Sequence, residues 1–342
     1  MHLVVPSRGN RAARLFAGLL LLSVSVVAVA VLSLAVGARP IPIEVVWQAL
    51  TQFDTANAEH HIVWDLRMPR TLVGVLVGVA LGLAGAVLQG ATRNPLADPS
   101  ILGIHAGAAL AVVLGIAFFG FTQLSGYVWL AFGGAGAAMF VVYSVASLGR
   151  EGATPVKLAL AGAAVTAVLY SIINAILLTS TRTLDEIRFW QVGSLAGRSI
   201  DIVLQVAPFL VVGALLAFAC ARLLDGLAMG DEVARALGQR IAMTRALSGL
   251  AAVVLAGGST AAAGPIAFVG LTVPHMARAI TGPSYRWILP YAMLMAPILL
   301  LGADVVGRVV SPPGGVQVGI VTALIGAPFF IALVRRRKLA SL

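Results

Sequence analysis

The chain has 342 residues, of which 60% are hydrophobic and 11% are charged, whereas a soluble domain is about 45–50% apolar and about 25% charged. That excludes a soluble protein, and at about 20 apolar residues per bilayer crossing the length accommodates about ten helices. The formal charge of +10 matters by its distribution rather than its sum, and nucleic acid is not an expected partner.

Arg8, Arg11 and Arg14 precede an apolar run from Leu15 to Val36. The run exceeds the core of about 7–15 residues of a secretory signal, so it reads as the first membrane helix. Apolar segments bounded by Pro, Gly or charge follow at about 70–90, 101–119, 127–148, 157–178, 202–223, 243–258, 266–280, 287–307 and 316–334. The expectation is an all-α polytopic protein of about ten transmembrane helices. One membrane domain, residues 15–334, lies between a short N-terminal tail (1–14) and a basic C-terminal tail (335–342). The stretch from Gly257-Gly258-Ser259-Thr260 to Gly264-Pro265 reads as broken rather than smoothly helical. The longest connections run from Gly37 to Leu66, Ser180 to Asp201 and Leu224 to Met243.

Gly74, Gly78 and Gly82, continuing through Gly85 to Gly90, give one helix a stripe without side chains, and Gly103 and Gly107 repeat the device. Such stripes let backbones approach closely. Close packing within one subunit is the plainer use, and subunit contact or pore lining are the others.

Placing both termini in the cytoplasm sorts the basic residues. Inside fall Arg8, Arg11, Arg14, Arg93, Arg150, Lys157, Arg222, Arg235, Arg240, Arg245, Arg278, Arg286, Arg335, Arg336, Arg337 and Lys338. Outside fall Arg39, Arg67, Arg70, Arg182, Arg188, Arg198 and Arg308. Sixteen against seven satisfies the positive-inside rule. The few outer arginines therefore need a reason.

Only two lysines occur, Lys157 and Lys338, and neither sits in a G-x-x-x-x-G-K-[ST] loop, so the chain is not expected to hydrolyse ATP. A single cysteine, Cys220, rules out an intrachain disulfide framework. No Ser/His/Asp constellation, C-x-x-C or H-E-x-x-H is present, and no enzymatic role or bound cofactor is expected. His60 and His61 stand beside Glu59 and Asp65, but adjacent side chains diverge and no metal site is expected there. Few ionisable groups fall inside the apolar segments. A stand-alone secondary carrier, the alternative of a different class, would place carboxylates near the midplane. Energy supplied by a partner fits better.

Between Asp225 and Arg240 lies a short amphipathic helix. Gly230-Asp231-Glu232 starts it with acids at the positive end of its dipole, Val233, Ala236 and Leu237 share one face, and Gly238 closes it. It is either a linker on the membrane surface or a knob for a cytoplasmic partner.

A family resemblance is carried by Arg67-Met-Pro-Arg70, Thr92-Arg-Asn-Pro-Leu-Ala-Asp-Pro-Ser-Ile-Leu-Gly103, Met229 to Gly238, Gly264-Pro-Ile-Ala-Phe-Val-Gly-Leu-Thr-Val-Pro-His-Met-Ala-Arg278, Ala303-Asp-Val-Val-Gly-Arg308 and Gly326-Ala-Pro-Phe-Phe330. In this order they resemble the FecCD-like permease subunits of binding-protein-dependent, type II ABC importers for ferric siderophores, haem and vitamin B12. Ile187 to Leu195 and Arg286-Trp-Ile-Leu-Pro290 look most like the ferric-enterobactin-type permeases.

The resemblance implies a multi-pass subunit of a bacterial cytoplasmic (inner) membrane. Its implied partners are a second permease copy or paralogue, two ATP-binding subunits that hold ATP and Mg, and an extracytoplasmic substrate-binding protein. The implied cargo is a ferric siderophore, with haem or vitamin B12 as alternatives, moved by alternating access. Arg67, Arg70 and Arg308 match the arginines that meet acidic residues of the binding protein. An i,i+4 pair with Asp304 is the plainer role for Arg308, and both can hold. Gly230, Asp231, Glu232, Val233, Ala236, Leu237 and Gly238 match the ATPase-coupling element. Asn94 and Leu96, with Thr154, Pro155 and Val156, match the inner gate. Here Pro155-Val156 replaces the Thr-Ser pair of the vitamin B12 importer, making a hydrophobic closure.

Overall fold

The computed structural model describes residues 8–121, 124–148, 153–180, 183–184, 187–188 and 190–335. Arg150, Arg182, Arg336, Arg337, Lys338 and residues 1–7 of the N-terminal tail lie outside the described residues. Among those described every regular element is helical.

Helix α1 (Arg8–Ala35) is followed by a short α2 (Ile43–Thr51) and one-turn α3 (Ala58–His61). A π-helical turn, Ile62–Arg67, joins α3 to α4 (Met68–Thr92). Then come α5 (Ile104–Phe119), α6 (Leu124–Ala146), α7 (Pro155–Thr179) and α8 (Ile200–Ala219). Two short helices, α9 (Ala221–Ala228) and α10 (Asp231–Ala236), lead to α11 (Ile241–Ala263), α12 (Val269–Thr281), α13 (Tyr285–Val310) and α14 (Val318–Arg335).

Each of the ten expected apolar segments coincides with a helix. Among the described residues seven helical stretches are long and apolar enough to cross a bilayer by themselves: α1, the continuous Ala58–Thr92 rod, α6, α7, α8, α11 and α13. The other three, α5, α12 and α14, are shorter.

α4 is the axis. Its 92-end half is buried on all sides, and its glycines set the spacing of its neighbours. Gly78 abuts the backbone of Pro297 and Gly82 the Ala292 carbonyl, both in α13. A Cβ on Gly85 would collide with the Gly270 carbonyl of α12. Gly107 meets the Gly134 carbonyl in the same way, so α5 and α6 lie backbone to backbone. The glycine stripes thus serve close packing inside one chain, where dispersion between near backbones replaces the absent hydrophobic drive. α1, by contrast, presents Phe16, Leu20, Leu21, Val24 and Val27 to the exterior.

One expectation is corrected. α11 runs unbroken through Gly257-Gly258-Ser259-Thr260 to Ala263. The two glycines lie against Phe132 of α6, and the Ser259 and Thr260 hydroxyls both donate to the Ala256 carbonyl, so these residues tighten the helix rather than interrupt it. The break falls at Gly264, whose φ of +76° and position on the Trp190 carbonyl exclude a side chain.

Candidate functional site

The first functional candidates gather at the end of the bundle where α1 finishes, α4 begins and α13 finishes. Pro69 has no amide hydrogen to give to a helix. The chain widens ahead of it into a π turn, with the Met68 amide bonded to the Val63 carbonyl. That turn sends Arg67 toward α1 and Arg70 toward α13.

Arg67 donates from Nη1 to the Leu34 and Ala35 carbonyls, at 2.5 and 2.7 Å, and from Nη2 to the Arg39 carbonyl. Arg308 donates from Nη1 to the Ser33 and Val36 carbonyls, at 2.9 and 2.7 Å, and from Nη2 to Ser33 Oγ. A helix end leaves its last carbonyls without partners and carries partial negative charge. Here two guanidinium groups cap the last turn of α1, and each of these arginines is only 7% exposed.

Asp304, fully buried, joins the cluster to α4. Arg70 donates to it from Nε and Nη2, the latter at 2.7 Å, and Arg308 Nη2 lies 3.1 Å from its other oxygen. The i,i+4 pair expected from sequence is therefore real, but Asp304 is shared with a residue 234 positions away. Charge-assisted bidentate geometry makes the Arg70 contact the strong one. The Arg70 side chain keeps 20% of its surface exposed, so of the three arginines it is the one with an open edge. Two cations share one carboxylate, with Arg67 on the same turn of α1, so the cluster itself keeps a net positive charge, although Arg67 and Arg308 face inward. Elsewhere in the same region, Arg39 pairs with Glu59 at 3.1 Å, while Arg198 has a buried Nε without a hydrogen-bond partner.

His60 Nδ1 accepts from the Asp54 amide and His61 bonds Asp65, so the two rings are engaged separately. Among the described residues no three His, Cys, Asp or Glu side chains converge as for a metal ion.

At the opposite end of α4 lie the coupling and gate candidates. α10 spans six residues, flanked by Gly230 at φ +109° and Gly238 at φ +81°. Asp231 turns inward to Arg245 at 3.0 Å, with Arg93 3.9 Å away, and Ala234 is buried. Glu232, Val233, Ala236 and Leu237 are exposed, Leu237 by 65%. The apolar face read from the sequence thus points away from the protein. Between α9 and α13, Asp225 accepts from the Tyr285 amide at 2.6 Å.

The loop after α4 starts at Arg93, a non-glycine residue at φ +51°. Asn94 Oδ1 accepts from the Leu96 amide at 3.0 Å, a local turn that holds both gate candidates half-buried. Thr154 caps α7 by accepting from the Lys157 amide, with Pro155 in the first turn and Val156 exposed. The loop meets α7 where the Ile101 carbonyl touches Gly162.

Asp98, quoted within a motif but given no role from sequence, is a buried member of this loop. Burial pushes its carboxyl up, and hydrogen bonds from Ser100 and the Leu271 amide pull it down. α12 begins at Phe268 with no side-chain cap of its own. Asp98 therefore supplies, from another part of the chain, the acceptor that a helix start needs. Gln89 of α4 donates to the Leu271 carbonyl at 3.2 Å, tying the same spot to the axis. No local sequence pattern signals such a cap, because donor and acceptor are far apart along the chain.

The FecCD transport family model matches residues 24–336. The chain belongs to the FecCD family. Its relatives include the ferric enterobactin transport system permease protein FepD of Escherichia coli, 46% identical over 94% of each chain. The probable siderophore transport system permease protein YfiZ of Bacillus subtilis is 42% identical over 85% of this chain and 87% of its own. The cobalamin import system permease protein BtuC of Halobacterium salinarum is 39% identical over 86% and 81%. A solved structure described as an inward-facing conformation of a metal-chelate type ABC transporter superposes with a TM-score of 0.78 at 29% identity, covering 93% of this chain and 98% of that one. This FecCD chain is thus an all-helical permease of an ABC transport system, with the type II importer fold. The resemblance read from the motifs, including the ferric-enterobactin type, agrees with these relatives.

Proposed function

We propose that this chain is the membrane permease of an ATP-driven importer that carries a ferric siderophore across the bacterial cytoplasmic membrane. The observation that carries the reading is the 46% identity to a ferric enterobactin permease over nearly the whole of both chains. Two permease chains, identical or paralogous, flank the cargo path, and two separate ATP-binding subunits hold ATP and Mg. A loaded extracytoplasmic binding protein delivers the cargo. Ten crossings put both termini in the cytoplasm and the arginine cluster outside.

In this mechanism Arg67, Arg70 and Arg308 mark the docking end. Arg67 and Arg308 build a cationic platform on the last turn of α1, and the open edge of Arg70 takes a carboxylate of the binding protein. Val233, Ala236 and Leu237, presented between Gly230 and Gly238 with Asp231 and Glu232 at the helix start, seat in the ATPase and convert its movement into tilting of α11. Asn94 and Leu96, with Thr154, Pro155 and Val156, close the cytoplasmic exit between turnovers. Cobalamin is the second reading, favoured by the 39% relative.

Purification of the complex through this chain, with every co-purifying subunit identified by mass, tests the assembly. The binding protein loaded with ferric siderophore is expected to stimulate ATP hydrolysis and drive uptake into vesicles, with cobalamin inert. Stimulation by cobalamin alone reverses the cargo assignment. Ion-driven uptake without an ATPase subunit overturns the whole reading.

A further inference from the structure

α2 contributes no side chain to the arginine cluster or the gate, yet it is amphipathic beyond what the described residues cover. Val46 and Ala49 are buried in a small separate core with Leu34, Ile41 and Val63. Ile43 and Trp47, one turn apart on the adjoining edge, are 56% and 67% exposed. Glu44, Gln48 and Thr51 occupy the remaining sector and are also exposed. A helix turning about 100° per residue thus has an apolar arc of which one part meets the core and the other stays largely uncovered by the described residues.

The height of α2 is set by α1. Leu34, in the last turn of α1, packs into the α2 core, and Arg67 binds the carbonyls on both sides of the intervening turn, Ala35 and Arg39. At the other end of α1, Phe16 meets Trp287 edge-on at 5.1 Å. From Phe16 to Leu34 a helix rises about 27 Å, close to the hydrocarbon thickness of about 30 Å. The exposed apolar side of α1 between them, Leu20, Leu21, Val24 and Val27, has the height of a bilayer core. An aromatic pair at one limit leaves the other limit at α2, where an indole with a polar sector beside it matches the bilayer interface.

We propose that α2 is an interfacial anchor whose Ile43–Trp47 edge enters the headgroup–acyl boundary of the outer leaflet. Through Arg67 it holds the mounting of Arg70 at a fixed height above the membrane. The inference rests on the membrane reading and is independent of the cargo.

The test uses the assembled complex in phosphatidylethanolamine–phosphatidylglycerol vesicles, with a nitroxide placed by Trp47→Cys, Ile43→Cys or Glu44→Cys in a Cys220→Ser background. Relaxation by oxygen and by a water-soluble nickel chelate reads depth. At positions 43 and 47 oxygen should prevail over nickel, at 44 nickel should prevail over oxygen, and loaded binding protein should change neither. Ile43→Cys reads the same edge where Trp47→Cys fails to assemble. Nickel prevailing at 43 or 47 overturns the anchor. Shelter from both relaxants that appears only with binding protein assigns the edge to that protein instead, and shelter without it assigns the edge to a second subunit. The readout needs no transport, so failure of the cargo assignment leaves it interpretable.

Discussion

Arg70 and Asp304 stand 234 positions apart, yet they form a two-pronged contact, Nη2 to Oδ1 at 2.7 Å and Nε to Oδ2 at 3.0 Å. The same carboxylate also holds Arg308, which caps α1. One buried acid thereby joins three helices at one end of the bundle. Asp304→Ala should leave Arg308 buried with its charge uncompensated, costing about 3–5 kcal/mol. Unfolding in detergent followed by tryptophan fluorescence, with the yield of assembled complex by gel filtration, checks this. Wild-type stability in the variant removes Asp304 from its central place.

Arg70 and Arg67 should separate in function. Arg70→Gln keeps the Arg308–Asp304 pair and removes the open cationic edge. It should slow binding-protein association most at low salt, and should cost about 2–5 kcal/mol of affinity if the contact is desolvated. Arg67→Gln strips donors from three carbonyls and should instead mainly lower stability, by about 1–3 kcal/mol, with a smaller loss of affinity per folded complex than Arg70→Gln. Surface plasmon resonance at two salt concentrations beside thermal melts distinguishes them. Equal affinity losses in both variants refute the division of labour.

For the coupling segment, Val233→Asp and Leu237→Asp alter exposed side chains without touching Gly230 or Gly238, whose positive φ makes any replacement strained. Both variants should fold and reach the membrane in normal amount. Transport should fall sharply, and the ATPase subunit should either dissociate or hydrolyse ATP without uptake. Unchanged co-purification together with unchanged uptake returns α10 to a linker.

Orientation is tested by the charge rule's own residues. In a Cys220→Ser background, Arg235→Cys should resist membrane-impermeant maleimide in intact spheroplasts and react in inverted vesicles. Arg39→Cys should do the opposite, since Arg39 lies by the arginine cluster and is exposed. Labelling of position 235 from outside sinks the arrangement.

The order and placement of the helices were legible in the residues because a bilayer imposes one requirement on every crossing segment, an apolar run long enough to satisfy its own backbone. Glycine spacing announced close packing for the same reason, since only a missing side chain permits it. The short helix that exposes Val233, Ala236 and Leu237 was readable from caps and periodicity within a dozen positions. Tertiary structure alone decided the partners of Arg67 and Arg70 and the carbonyls that Arg308 caps, while the Arg308–Asp304 pair was readable from its i,i+4 spacing. Arg67 and Arg308 carry nothing in their local sequence that says whether they face water or the open carbonyls of Ser33 to Val36, and Arg70 does not announce Asp304. Asp98 at the start of α12 and the uncovered edge of α2 belong to the same class. Hydrogen bonds and caps between distant segments depend on where the packed backbones bring their ends, and no periodicity along the chain encodes that distance.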